Sequence, residues 1–245
     1  MSEKASVLSP SALWRQLGLA RHNWPGRFTV LLATILLLLV SQPIFSAHAF
    51  AQIFATATIS LVLLSALYAF RTTKTYFTIA LILMVPAIGS RLALQFTVNP
   101  TLEMAGAVSS CLFLTVTVFA LVSRLFTVKS VSFDIISAAI CAYLLIGVAW
   151  AYAFAFIELR YPGSFSSALI QKPTGNMSPL VASVHTFVYY SFVCLTTTGF
   201  GDVLPVSEGA RSLSVMEAVF GQLYMAILIA RLVGLEIAQS MKEER

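Results

Sequence analysis

Charge is what this sequence has least of. Of its 245 residues 10% are charged, where a soluble domain carries about 25%. That shortage alone excludes an ordinary soluble fold. Cysteine is nearly as scarce, and Cys111, Cys141 and Cys194 all lie inside apolar runs. Thiols so placed make no disulfide framework and no metal-site spacing. His22, His48 and His185 are too far apart to form a motif. The net charge of +5 comes without a basic cluster, so nucleic acid is not expected as a partner. The scattered Lys and Arg flank apolar runs, where they set membrane orientation and touch anionic lipid heads. No cofactor is expected and no covalent chemistry is implied, which argues against an enzyme.

What is present is hydrophobic: 58% of the chain, with a mean hydropathy of +0.88. A spanning helix needs roughly 20 apolar residues. The expected spans are Phe28–Ser46, His48–Phe70, Tyr76–Phe96, Thr101–Phe126, Val131–Glu158 and Glu208–Gln239. Leu180–Leu195 is too short to cross with water on both sides and reads as a re-entrant helix. Tyr161–Pro179, rich in Pro, Gly and Ser, reads as a loop. Residues 1–26 are polar, with Lys4, Arg15 and Arg21. Two readings stand for them: an interfacial helix lying on the membrane, or a solvated tail. Ala47-His48-Ala49 imitates a signal-peptidase site, but the long polar stretch before it and the length of its apolar core make this a retained helix.

Orientation follows from the basic residues. Those of the first segment, Arg71 and Lys74, Arg124 and Lys129, and Lys242 and Arg245 fall on one side if each run crosses once. That side is expected to be cytoplasmic, giving a multi-pass protein of the cell membrane with both termini inside.

One stretch breaks the apolar pattern. Thr196-Thr197-Thr198-Gly199-Phe200-Gly201-Asp202 is polar and glycine-rich between two apolar helices. Non-helical backbone at membrane depth is costly unless it lines water or ions. Gly199 and Gly201 accept backbone angles that other residues avoid. Alternating angles would turn successive carbonyls to one side of an extended strand. A ring of such strands presents stacked oxygen cages that replace a cation's hydration shell.

This stretch resembles the filter of the potassium-channel family, usually written Thr-Val-Gly-Tyr-Gly. Thr198 stands where Val is usual and Phe200 where Tyr is usual; the carbonyls and both glycines remain. The resemblance covers about Phe133–Ser240. It implies an all-α integral membrane fold with six transmembrane helices, a re-entrant pore helix and a selectivity filter. With one filter per chain it implies a homotetramer. The layout is similar to bacterial six-helix members. The fourth helix, however, lacks the arginine ladder of a voltage sensor, so a channel that is not voltage-gated is expected. The implied organisation is a cytoplasmic segment 1–26, a four-helix peripheral domain 27–128 and a pore domain 129–245. The run after the last helix, ending at Arg245, is too short for a calcium-binding ring or a nucleotide-binding domain, so neither is expected.

The resemblance implies that K+ is held by the carbonyls of Thr197, Thr198, Gly199 and Phe200 and by the Thr197 hydroxyl, with Gly201 closing the strand. Thr196, Asp202, Tyr189, Tyr190 and Glu217 are the expected filter supports. Asp202 would pin the filter to the pore helix. Val193 stands where some family members carry a glutamate behind the filter. Gly221 has two readings, a hinge in the inner helix or a close-packing contact. Gln222, Met225, Ala226, Ile229 and Val233 share one helical stripe, assigned to the water-filled cavity. Ile229 or Val233 is the expected dewetting gate. Arg231 has two readings, structural support ahead of snorkelling, and Arg91 reads as a lone cation with Glu103 as its candidate partner. The expected partners are copies of the chain itself, membrane lipids and K+. Three alternatives stand beside this: a weakly selective cation channel, a potassium-uptake transporter and a silent regulatory subunit. The intact Gly199-Phe200-Gly201 argues against the first. The single complete filter argues against the second, and only a flux assay excludes the third.

Overall fold

The structure is a computed structural model that describes residues 27–45, 51–69, 74–94, 96–97, 99–128, 132–169 and 179–243. The segment 1–26, with its interfacial-helix reading, and residues 170–178 of the loop lie outside these. The described elements, in order, are α1 (Arg27–Phe45), α2 (Ala51–Ala69), α3 (Lys74–Ala93), α4 (Pro100–Thr127), α5 (Phe133–Arg160), β1 (Phe165–Ser166), α6 (Pro179–Leu195), β2 (Leu204–Pro205) and α7 (Glu208–Glu243). Their bounds agree with the apolar runs to within about four residues. Among the described residues four helices, namely α3, α4, α5 and α7, are long and apolar enough to cross a membrane. The helices α1 and α2 have 19 residues each.

Local chemistry starts and stops these helices. At the start of α4 the Asn99 side chain accepts from the Thr101 amide at 3.0 Å, and Pro100 occupies the first turn. An N-cap oxygen satisfies a free amide there, and proline's fixed φ suits a position whose N–H has no partner. Pro86 lies inside α3 without ending it.

One buried core runs through residues of α1, α2, α3, α4 and α5, among them Leu31, Leu63, Leu114 and Leu145. A second gathers Phe154, Phe165, Phe187 and Tyr190 where α5 meets α6. Their rings meet edge to face at 5.0–5.5 Å, the arrangement aromatic quadrupoles favour. Arg91 and Glu103 are both buried, and the Arg91 guanidinium lies over the Tyr152 ring, 5.1 Å from its centroid.

The strands β1 and β2 pair antiparallel, with Phe165 opposite Pro205 and Ser166 opposite Leu204. Pieces of two residues have no hydrophobic period, and none is expected from the sequence. Glu158 at the end of α5 holds the turn leading into them: its two carboxylate oxygens accept from the amides of Gly163 (2.8 Å) and Phe165 (3.0 Å). The pairing ties the segment that leaves Asp202 to the segment that leaves α5.

Candidate functional site

The site begins where α6 stops. Beyond Leu195 the Thr197 amide donates to the Cys194 carbonyl (2.9 Å) and the Thr198 amide reaches back to the Val193 carbonyl (3.0 Å). These are the two bonds of a Schellman ending, which needs a left-handed residue just past the helix. Glycine usually takes that seat. Here Thr197 takes it, with φ of 55°, an outlier for a β-branched residue. Such strain persists where surrounding structure enforces it, and it marks functional positions.

The strand that follows keeps this rhythm. Thr197, Gly199 and Gly201 have φ of 55°, 63° and 76°, and among the described residues Thr197 is the one non-glycine with positive φ. Left-handed residues therefore occupy every second position, and Thr198 and Phe200 between them do not. Thr196 to Asp202 are all exposed in the single chain.

The hydroxyls are arranged around the inner end. Thr196 donates to the Phe192 carbonyl at 2.6 Å and accepts from Thr198 at 2.8 Å. Thr197 donates to the Thr196 carbonyl at 2.7 Å, which leaves its own lone pairs for another partner. Gln222 on α7 reaches it from below, Nε2 to Oγ1 at 3.5 Å.

At the outer end the Tyr189 hydroxyl donates to Asp202 Oδ2 at 2.5 Å, and the Val203 amide donates to Oδ1 at 3.0 Å. The Tyr189 ring also stacks on Phe200, with centroids 6.5 Å apart and planes 3° apart. Asp202 thus joins the loop to α6, while Phe200 meets its neighbour by ring contact without a hydroxyl. Tyr190, next in sequence, points elsewhere. Its hydroxyl donates to Ser214 on α7 at 2.7 Å, because Ser214 has already given its hydrogen to the Ala210 carbonyl (2.8 Å). Tyr190 braces α6 against α7.

Behind the loop, Ser191 on α6 contacts the Gly147 carbonyl of α5 at 2.6 Å and also the Glu217 carboxyl of α7. All three sites are buried. Sequence reasoning named Glu217 and missed Ser191, because a serine in an apolar helix carries no signal of its partners.

Gly221 seats against the end of α6. A methyl there would collide with the Leu195 carbonyl and stand 2.9 Å from Leu195 Cδ1, while α7 runs unbroken through the position. Close packing is what the structure gives for this glycine. The stripe Gln222, Met225, Ala226, Ile229 and Val233 is exposed.

Arg231 takes the supporting role and does not snorkel. Its guanidinium donates to the carbonyls of Leu125 (2.9 Å), Phe126 (2.6 Å) and Val128 (3.2 Å). It also lies over the Phe126 ring, 5.0 Å from the centroid. The carbonyls that end a helix lack internal partners and carry partial negative charge; Arg231 answers both for α4.

Residues 138–235 match the Ion_trans_2 family model, described as "Ion channel". The match supports an ion channel. It covers 98 of 245 residues, from α5 through α7, and contains the whole loop and its supports. No curated protein and no solved structure matches. Together with the apolar helices, the match points to a membrane protein that transports ions.

Proposed function

We propose that this chain is one subunit of a homotetrameric, potassium-selective channel that conducts passively through the Thr197–Gly201 strand. The observation that carries the proposal is the alternation of left-handed residues at Thr197, Gly199 and Gly201. A strand whose backbone reverses hand at every step turns consecutive carbonyls to one side, and four such strands form stacked oxygen cages. The carbonyls of Thr197, Thr198, Gly199 and Phe200 would hold the ions, with the Thr197 hydroxyl completing the innermost cage. Six helices would span the membrane, with α6 re-entrant and both termini cytoplasmic. Helices α1 to α4 would form the peripheral domain and residues 129–245 the pore. Met225, Ile229 and Val233 would face the cavity, with the gate at Ile229 or Val233. Arg124, in the last turn, is the lone basic residue of α4, which supports weak voltage dependence. Moving one charge through 100 mV is worth about 2.3 kcal/mol, and steep gating needs three or four such charges per subunit.

Recordings from purified protein in planar bilayers test this. Under bi-ionic conditions the reversal potential should show strong preference for K+ over Na+, and the particle should be a tetramer. A reversal near zero under that gradient, or a dimer as the sole oligomer, would overturn the reading. Thr197→Ala should weaken block by internal barium, because four hydroxyl ligands are lost while the carbonyls remain. Thr198→Val should be mild, since that position offers its carbonyl.

A further inference from the structure

We propose that Glu217 is held as a neutral carboxylic acid that donates its proton to Ser191, so that a single buried proton joins α5, α6 and α7 behind the filter. The role given to the filter rests on the channel reading above; the proton itself follows from counting hydrogens.

Ser191 Oγ is in close contact with two oxygens, the Gly147 carbonyl at 2.6 Å and Glu217 Oε1. A hydroxyl has one hydrogen, and a carbonyl has only lone pairs. The hydrogen between Ser191 and Gly147 is therefore the serine's. The contact with Glu217 then has no hydrogen unless the carboxyl supplies it. Turning the serine toward an ionised Glu217 merely moves the problem, leaving the Gly147 carbonyl 2.6 Å from a bare oxygen. Two acceptor oxygens at hydrogen-bond distance with no hydrogen between them repel. The neutral acid gives each contact a hydrogen of its own, in the order Glu217 to Ser191 to Gly147.

A second observation agrees. Glu217 is fully buried, and its Oε2 has no hydrogen-bond partner among the described residues. A bare carboxylate oxygen out of water is costly, whereas the C=O of a neutral acid is much less so. The titratable side chains that face Glu217 are Tyr143 of α5 and Tyr190 and Cys194 of α6. None is a cation; β2 contributes no titratable group, and α4 meets α7 about four turns away, where Arg231 is bound to its carbonyls. Tyr190 has spent its hydrogen on Ser214. Nothing among these groups would compensate a negative charge.

The placement gives the proton its role. Ser191 lies one turn before Cys194 and Leu195, where the backbone leaves the helix for the ion-binding strand. Glu217 lies one turn before Gly221, which seats against Leu195. Glu217 is thus a positioning residue. Losing its proton breaks one of the two links and loosens the end of α6 against α5 or α7, while the Tyr190–Ser214 bond and the Gly221 seat remain. Alkaline conditions that ionise Glu217 should therefore reduce conduction.

Infrared spectra of reconstituted protein test the proton without reference to transport. At neutral pH the wild-type minus Glu217→Gln difference should contain a protonated-carboxyl C=O band that shifts in D2O. A carboxylate signature alone at neutral pH would overturn the proposal, whether or not the protein selects potassium. The pH profile of the current, normalised to each protein's own value at neutral pH, tests the role. Wild type should lose current reversibly as the bath turns alkaline, while Glu217→Gln, whose amide also donates and cannot ionise, should show no such loss. Equal loss in both would refute the positioning role. If Glu217→Gln does not assemble, Ser191→Ala replaces it. Removing the proton's acceptor should then shift the band, and an unshifted band would count against the Ser191 contact.

Discussion

Helices α5 and α7 are made of similar material and live in opposite surroundings. Both are long and apolar enough to cross a membrane, yet 56% of the spanning window of α5 is buried within the chain and only 6% of that of α7. The helix α5 is packed by α1, α4 and α6 on different sides. The helix α7 buries Ala210, Ser214, Glu217 and Gly221, with Tyr224, Leu228 and Arg231 partly covered below them. Those positions repeat in steps of four and three, the seam of a two-helix contact. Gln222, Met225 and Ile229 of the proposed cavity stripe lie one residue on, about 100° around a helix of 3.6 residues per turn. Apolarity tells that a face avoids water. It does not tell whether the cover is the chain's own core, another subunit or lipid.

Four substitutions probe that contrast, the largest effect first. Phe154 on α5 is fully buried, and its ring meets Phe165 and Tyr190 at 5.5 and 5.1 Å. Phe154→Ala should cost about 3–5 kcal/mol, read as a lower thermal midpoint whatever the oligomeric state. Phe220→Ala, on the exposed side of α7 with its ring 6.3 Å from that of Trp150, should cost the subunit far less and act mainly on its assembly. If Phe220→Ala lowers the midpoint of dissociated subunits as much as Phe154→Ala, the contrast between the helices is false.

The next effect sharpens the seam itself. Gly221→Ala forces a methyl against the Leu195 carbonyl, and overpacking of this kind costs about 1–3 kcal/mol. The packing account expects a less stable tetramer in detergent. A tetramer of unchanged stability with altered gating would restore the hinge. The smallest effect lies at the Asp202 end of the loop, where Tyr189→Phe removes one exposed hydrogen bond, worth about 0.5–1.5 kcal/mol. The ring stack on Phe200 survives that change. Faster loss of conductance during sustained opening should follow, with selectivity initially intact; identical time courses would show that the Asp202 contact does not steady the strand.

The features legible in the sequence were those written in side-chain pattern. Apolar runs gave the helices to within a few residues, and the glycine spacing gave the alternation at Gly199 and Gly201. Asp202 was readable because an acid at the end of a glycine loop has few neighbours other than the preceding helix. What stayed hidden depends on main-chain atoms or on rotation about an axis. The partners of Arg231 are three carbonyls more than a hundred residues away, and carbonyls have no letter in the sequence. Tyr189 and Tyr190 are adjacent and chemically alike, but one helical step of about 100° sends one to the loop and the other to α7. Thr197 in a glycine's seat follows from the Schellman bonds, which depend on where α6 stops. The β1–β2 pair and its Glu158 clasp are too short to show any period.

The contact between Arg231 and the end of α4 has a mechanical side. Twelve residues of α7 continue past it to Glu243, a lever arm of about 18 Å at 1.5 Å per residue. Its pivot belongs to another helix, fixed by three bonds and a ring. Any splaying of the lower end must tear those bonds together or drag α4 along, so α7 cannot swing outward as an independent rod.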